Sequence, residues 1–450
     1  MVKICKYLEN VHHLSDYFVI LAAKTNRIMR KSLIFTIIAS VSVVLGITSC
    51  NRNVYDEDTH KELIHYYSAV DSVDQQHMWQ LSQTRSLRYQ VPSGSYKQLR
   101  IYTADPLTSN GAELMNQIYV SDGQSGALSI NVPYQLTTLY AALVDDSENL
   151  SVMSFSSSQS SISFTDVTTG KAKTSINPQT YTYLFEENNP EPGDYDYNDV
   201  VLRVSHQRTG EKQLTITVTI SAVGAAKQIA GCIRLVGYRF QDIDSVYTTT
   251  GESFNDGINT QMLYFHKDTD FLIEGRNHEA ILNLFCDAHW ALSFNLSTDY
   301  GLFQRKKYNV STSVGDNYQI RTPRTLSYVI NFNSSSTLDN FTFDTLDPFI
   351  ITDYNQGTWE THTEQFKSAQ VLHEYFVPSF KDLPWALMVP QADFLYPLEG
   401  TEIGYRKKTE SGVVAMFGAY TTIGHSFGEW AENHNSYLDW YLYPNTQLTF

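Results

Sequence analysis

Cysteine is scarce in this sequence, and positive charge is scarcer than negative. Four cysteines stand at positions 5, 50, 232 and 286 of 450 residues, and none of their spacings makes a zinc ribbon or a CxxC redox pair. Charged residues amount to only 18%, with a formal net charge of −16. Such a chain repels nucleic acid phosphates and anionic lipid heads, so no nucleic acid partner is expected. No Walker or dinucleotide glycine pattern follows a strand, and the 13 histidines are scattered. With 42% hydrophobic residues the chain is not disordered either.

Aromatic residues are plentiful. Thirty Tyr and 23 Phe, with frequent Thr, Ser and Val, favour pleated, half-buried surfaces. The length suggests two or three domains.

The N-terminal region reads as an export device. Met29-Arg30-Lys31 is a short positive stretch, Leu33 to Leu45 is apolar, and Ile47-Thr48-Ser49-Cys50 matches a bacterial lipobox. The apolar run is short for a membrane span, which needs about 20 residues. Residues 29–49 are therefore expected to be a lipoprotein signal peptide, and Cys50 the lipidated residue that ties the chain to a membrane. Residues 1–28 place His, Glu and Asp ahead of the positive stretch and read as a gene-model extension. The localisation this implies is the outer membrane of a cell envelope.

Residues 50–88 read as a lipidated tether and a helix. Asp56-Glu57-Asp58 is either a surface-export signal or a solvated linker, and Thr59 to Leu81 is expected to form one helix, with Leu63, Ile64, Tyr67 and Val70 at helical spacing. Residues 89–165 read as a small β domain, residues 166–179 as a polar linker, and residues 180–450 as a larger β domain. In the latter, Leu214, Ile216, Val218 and Ile220 alternate with threonines, and Leu326, Tyr328, Ile330 and Phe332 alternate likewise. No βαβ rhythm is present. The expected fold is mostly β: two antiparallel, sandwich-like domains preceded by the signal peptide and a short helix. Cys232 and Cys286 could pair after export, or stand as buried thiols.

The most chemical stretch is Gly193-Asp194-Tyr195-Asp196-Tyr197-Asn198-Asp199. Its carboxylates repel one another unless something positive offsets them. A hard cation such as Ca²⁺ takes six to eight oxygens, often from alternating positions. Asp194, Asp196 and Asn198 alternate as at the start of an EF-hand loop, but Asp199 stands where that loop has glycine, and no Glu follows at its twelfth position. In an extended segment the three alternating groups share one face and Asp199 points away. Glu186, Glu187 and Glu191 are nearby candidates for further ligands. A structural acidic turn, in which the Asx side chains accept backbone N–H groups, is the other reading. A catalytic carboxylate pair is a third, and nothing in the sequence sets the separation it needs.

Leu184-Phe185-Glu186-Glu187, the acidic stretch and the strand after it resemble the opening signature of the LruC-domain family of bacterial surface lipoproteins. Asp347-Pro348-Phe349-Ile350, Leu383-Pro384-Trp385-Ala386-Leu387, Tyr396-Pro397, Phe427-Gly428-Glu429-Trp430-Ala431 and Asp439-Trp440-Tyr441 extend the resemblance, in order, from about Thr180 to Tyr441. The stretch at His373-Glu374 keeps the family's Glu-x-His-Leu-Pro pattern only loosely. The resemblance implies a β-rich module exposed on the cell surface, of Bacteroidetes type, and supplies no reaction.

Two motifs invite a catalytic reading. Gly424-His425-Ser426-Phe427-Gly428 matches the G-x-S-x-G nucleophile elbow, but that motif needs a parallel sheet followed by an acid and then a His. Here His434 precedes Asp439. His373-Glu374 is not HExxH. The Trp and Tyr residues near 385 and 430–441 form either a sugar-stacking platform or a packed aromatic core. The expected function is a lipid-anchored, calcium-stabilised module for adhesion or assembly, without catalysis. A glycan-binding lipoprotein is the alternative, and a hydrolase acting through the acidic stretch comes third.

Overall fold

Leu214, Ile216, Val218 and Ile220 share one face of a strand because side chains alternate along extended backbone. Leu326, Tyr328 and Ile330 lie on the neighbouring strand, directly opposite Val218, Ile216 and Leu214. All are buried in one core. The two alternating segments of the sequence are thus adjacent strands, and their register places both apolar rows on the same side.

The computed structural model describes residues 72–190, 193–256, 272–275, 279–293, 306–309, 321–335, 338–354, 357–367, 383–408 and 414–450. All of them belong to one compact unit, Leu63–Phe450. The signal segment 29–49, Cys50, Asp56-Glu57-Asp58, Glu191 and His373-Glu374 lie outside the described residues.

Eight strands come first: β1 (Ser82–Gln90), β2 (Tyr96–Tyr102), β3 (Leu114–Tyr119), β4 (Ser125–Pro133), β5 (Thr138–Asp145), β6 (Leu150–Ser156), β7 (Ser161–Ser163) and β8 (Thr168–Gly170). They form a three-stranded sheet, β4-β1-β7, and a five-stranded sheet, β3-β2-β5-β6-β8. Leu87, Leu128 and Ile130 from the first sheet and Leu99, Ile101 and Leu143 from the second share a core. The short β1–β7 pairing is parallel; the other pairings here are antiparallel. Residues 166–179, read as a polar linker, lie against this sandwich. They supply β8, and Gln179 N donates to Leu114 O at 2.8 Å.

The larger sandwich follows. Its strands are β9 (Thr180–Phe185), β10 (Val200–Gly210), β11 (Gln213–Ala222), β12 (Ile229–Arg239), β13 (Ile243–Thr248), β14 (Ile273–Glu274), β15 (Glu279–Phe285), β16 (Arg324–Phe332), β17 (Leu346–Tyr354), β18 (Gly357–Thr361) and β19 (Ala386–Val389). One sheet has the order β13-β16-β11-β10-β9-β19 and the other β14-β15-β12-β17-β18. The pairings are antiparallel. Val204, Ile216 and Tyr328 from the first meet Ile233, Leu282 and Ile350 from the second. A short helix α1 (Ala288–Ser293) follows β15, and a hairpin of β20 (Tyr405–Lys408) and β21 (Val414–Phe417) precedes a second helix, α2 (Phe427–Glu432). The mostly β expectation holds.

The helix expected over Thr59–Leu81 does not hold in its described part. Residues 72–81 are irregular, with a turn at 75–76. Trp79 is left-handed (φ 54°) and is buried with Leu81 in an aromatic core with Trp430 and Trp440. Packing of these side chains against distant residues holds 72–81 irregular, while Leu63, Ile64, Tyr67 and Val70, which carry the helical spacing, lie outside the described residues. Cys232 and Cys286 are free, buried thiols in one small apolar cluster. Burial, with the charge of Asp287 beside it, pushes the Cys286 thiol up to about 12.

One buried ionic group staples the five-stranded sheet. Arg234 on β12 and Asp347 on β17 are directly opposite and bonded, Nη2 to Oδ2, at 2.9 Å. His362 is fully buried, with Nδ1 3.0 Å from Asp347 and Nε2 3.5 Å from Glu360. Burial opposes its protonation, but the two carboxylates outweigh it and hold the imidazole at about 9, against an ordinary 6.5. A raised folded-state value means that the protonated pair stabilises fully below pH 6.5 and is lost as pH rises through about 9. The contribution is on the order of 3 kcal/mol. Urea unfolding at pH 6 and pH 9.5 should therefore show a fall in stability of that order, and His362→Gln should flatten this part of the pH dependence.

Candidate metal centre

The acidic stretch joins β9 to β10, two adjacent antiparallel strands, so its ends are held one strand spacing apart. It is not extended. Tyr195 and Tyr197 both adopt left-handed backbone, at φ 55° and 53°, a conformation that costs about 1–2 kcal/mol for a bulky L-residue. Burial offsets that cost, since both rings are fully buried in the aromatic core beneath. The Tyr197 hydroxyl donates to Pro384 O at 2.6 Å, and Tyr195 O accepts from Ile403 N at 2.9 Å. Two tyrosines point down, and Asp196 between them is left to face the turn, where it accepts Asn198 N and Gly400 N.

That geometry divides the six candidate ligands that lie among the described residues. Glu186, Asp194 and Asp196 come together: one ligand oxygen from each lies within 4.8 Å of the others. Glu186 and Asp196 are buried, and Asp194 is at the surface. Glu186 also caps the loop, accepting Tyr197 N at Oε1 (2.7 Å) and Tyr195 N at Oε2 (3.3 Å). Asp196 accepts Asn198 N at 3.2 Å and Gly400 N at 2.7 Å.

The other three are turned to different work. Asp199 Oδ2 accepts Glu187 N at 2.7 Å. Glu187 in turn accepts Ala226 N at 2.9 Å and Lys227 N at 2.8 Å, tying the β11–β12 connection to the end of β9. Asn198 donates to Pro397 O at 2.9 Å and accepts from Asn309 Nδ2 at 2.6 Å. Backbone amides and converging oxygens thus occur together: Glu186 and Asp196 have both, and Glu187 and Asp199 have the amides alone.

The electrostatics follow from this crowding. Burial holds the Asp196 carboxyl well above the usual carboxylate range, reinforced by Asp194, Glu186 and Glu399. Asp194 reaches the surface, yet the protein packed around its carboxyl group and the charge of Glu399 raise it. Asp199 is raised well above the usual range by burial and by Glu187 and Glu186. Each carboxylate makes its neighbours harder to ionise, which is what a divalent ion would reverse. Close approach is built in. A Cβ on Gly193 would lie 2.1 Å from Glu186 Oε2, and one on Gly224 would lie 2.3 Å from both Asn198 Oδ1 and Asn309 Nδ2.

Sequence reading missed the far side of this site. Glu399 contributes charge to it, bonds Lys307 and accepts from Asn309, and Gly400 supplies an amide. These residues lie far along the chain from Asp196, and only the turn-forming Pro397-Leu398-Glu399-Gly400 hinted at a loop there.

The G-x-S-x-G segment is a helix cap. Ser426 is buried, its Oγ accepts Glu429 N at 3.2 Å and donates to Glu429 Oε2 at 2.8 Å. This is the reciprocal capping box of α2. His425 pairs with Asp439 at 2.8 Å and stacks on Tyr443, whereas His434 pairs with Asp74. Trp385, Trp430, Trp440 and Tyr441 are buried, so they form packed core and offer no sugar platform.

A family model described as a domain of unknown function (DUF4842) matches residues 212–441, just over half of the chain. The carboxylates at 186–199 lie upstream of the matched stretch, while Asn309, Pro397, Glu399 and Gly400 lie inside it. No curated protein matches the chain. A crystal structure of a provisionally named lipoprotein from Bacteroides ovatus is similar over 79% of this chain and 99% of its own, at 15% identity and a TM-score of 0.45.

The separation of roles among the acidic residues is measurable. Glu187→Ala leaves the Ala226 and Lys227 amides without their acceptor, while the backbone N–H at 187 still donates to Asp199, and should lower unfolding free energy by about 2–3 kcal/mol. The loss in urea denaturation should be the same with and without Ca²⁺.

Proposed function

We propose, for a chain that belongs to the DUF4842 family, a lipid-anchored cell-envelope protein whose β-rich module is stabilised by a calcium ion. It serves adhesion or assembly rather than catalysis. Glu186, Asp194 and Asp196 would hold the ion, and the observation that carries the reading is the convergence of their oxygens within 4.8 Å. An all-oxygen set of three carboxylates suits a hard cation, and backbone carbonyls or water would complete the shell. Their charge explains why the ion stabilises: it offsets a repulsion that the fold otherwise carries alone. Tyr195 and Tyr197 then stay seated in the aromatic core, so the ion fastens the β9–β10 turn over the region built by residues 383–450.

Attachment at Cys50 follows from the lipobox, and with the signature residues it supports kinship to the LruC-domain surface lipoproteins and a place in the outer membrane. Outside the cytosol calcium is available at millimolar levels, so even a weak site would be filled.

The ion is tested by thermal unfolding with Ca²⁺ and with chelator. A site that binds only the native state raises stability by about 2.7 kcal/mol at one hundred times its Kd. Asp196→Ala and Glu186→Ala should abolish the calcium-dependent part. An unchanged midpoint in wild-type protein would instead favour a turn held only by the backbone amides on Glu186 and Asp196. The anchor is tested separately. Cys50→Ala should stop metabolic labelling by a fatty acid and move the protein from the membrane pellet to the soluble fraction.

A further inference from the structure

The outer face of the six-stranded sheet has two halves of different character. Over β9, β19 and the start of β10, Leu184, Leu387, Val389 and Val201 are buried in the aromatic core. Over β11, β16 and β13 the same face is open. Here the outward side chains are hydroxyls and amides bonded across the strands in pairs, with one apolar side chain, the buried Val329, among them. Thr217 meets Ser327 at 2.8 Å and Thr219 meets Thr325 at 2.7 Å. Gln213 donates to Asn331 at 3.0 Å, and Asn331 donates on to Ser245 at 3.0 Å. Beside them Tyr247, on the edge strand β13, is 47% exposed and stands opposite Val329.

None of these positions is charged, in a chain with a net charge of −16. Charges stand at the borders: Arg203 opposite Thr219, Asp244 in the β13 bulge, and Lys212 in the β10–β11 turn. Exposed β-sheet faces are commonly protected by charged side chains, especially lysine; this one is neutral across three strands.

Each bonded hydroxyl pair has a defined outward chemistry. One hydroxyl donates to the other, and the acceptor keeps its own hydrogen free. The face therefore offers donors and lone pairs at fixed positions, about 4.8 Å apart from strand to strand. Lateral bonding holds the rotamers in advance, which lowers the entropy lost on binding. A nucleic acid or other polyanion would find cations only at the borders, at Arg203 and Lys212. A protein partner would find one aromatic residue and none of the Trp, Arg or Met anchors that carry protein interfaces. A neutral polyol, with hydroxyls in both donor and acceptor roles and apolar C–H faces, fits both the hydroxyl grid and the single exposed ring.

We propose that the open face of β11, β16 and β13 binds a neutral polysaccharide, with Tyr247 as its stacking platform and the Thr217–Ser327 and Thr219–Thr325 pairs as its hydrogen-bond partners. This does not rest on the calcium reading, and it places the sugar contact away from the buried tryptophans.

The test is native affinity electrophoresis of the full-length protein through gels containing mixed-linkage β-glucan, α-mannan or soluble starch, with polygalacturonate as the acidic control. Retardation by at least one neutral polymer is expected, with at least a tenfold weaker dissociation constant for Tyr247→Ala and for Thr217→Glu. Both substitutions lie on the solvent side, and an unchanged thermal midpoint would show that they leave the fold intact. If either unfolds the protein, Thr219→Gln replaces it. The proposal is overturned by no retardation on any neutral polymer, by equal retardation on polygalacturonate, or by retardation that all variants retain. Self-association of the wild type that Thr217→Glu abolishes would likewise overturn it, assigning the face to a second copy of the chain.

Discussion

Like charges brought together out of water destabilise a fold unless donors or a cation compensate them, and much of this molecule is arranged around that constraint. Between β9 and β10 the chain folds several carboxylates into one turn. Glu187 and Asp199 are satisfied by backbone amides, and they bind the turn to the β11–β12 connection. Glu186, Asp194 and Asp196 each bring one oxygen within 4.8 Å of the others. The left-handed tyrosines are the geometric means of this division. By turning their rings into the core, they determine which acids meet.

A second buried charge group works differently. Arg234, Asp347, His362 and Glu360 alternate in sign, so each charge has an opposite neighbour. Such a group is costly to break, because removing one member leaves another buried and unpaired. It also joins β12, β17 and the residues after β18, three neighbours in one sheet. The two groups meet internal charge differently: one by opposite side-chain charges around Asp347, the other by backbone amides donated to Glu186, Glu187, Asp196 and Asp199.

The fold was legible where periodicity is strong. The alternation at 214–220 and 326–332 marks both strands and their inward faces, because a single buried side imposes a period of two. The acidic stretch was legible as a cluster, since its residues are consecutive. Its division was not, because it depends on backbone at Tyr195 and Tyr197 that no propensity predicts for tyrosine. Glu399, Asn309 and Gly400 were invisible for another reason: they reach the turn through tertiary contact alone, and nothing local in the chain distinguishes them. The region before β1 failed in the opposite way. The helix expected to run on to Leu81 stops short of it, because at 77–81 the side chains of His77, Trp79 and Leu81 pack against the distant α2; the spacing itself, at Leu63 to Val70, lies outside the described residues.

That distant contact has a mechanical meaning. Asp74 N donates to Ala431 O at 2.9 Å, His77 lies 3.0 Å from Trp430 O, and Trp79 stacks on Phe427. Segments at opposite ends of the described chain are thereby clasped together ahead of β1. Tension applied at the N-terminal side would therefore enter the molecule at α2 and its aromatic bed, and would reach the first sandwich only after that clasp had given way. The strength of the clasp, rather than that of either sandwich, would set the force at which the structure first yields.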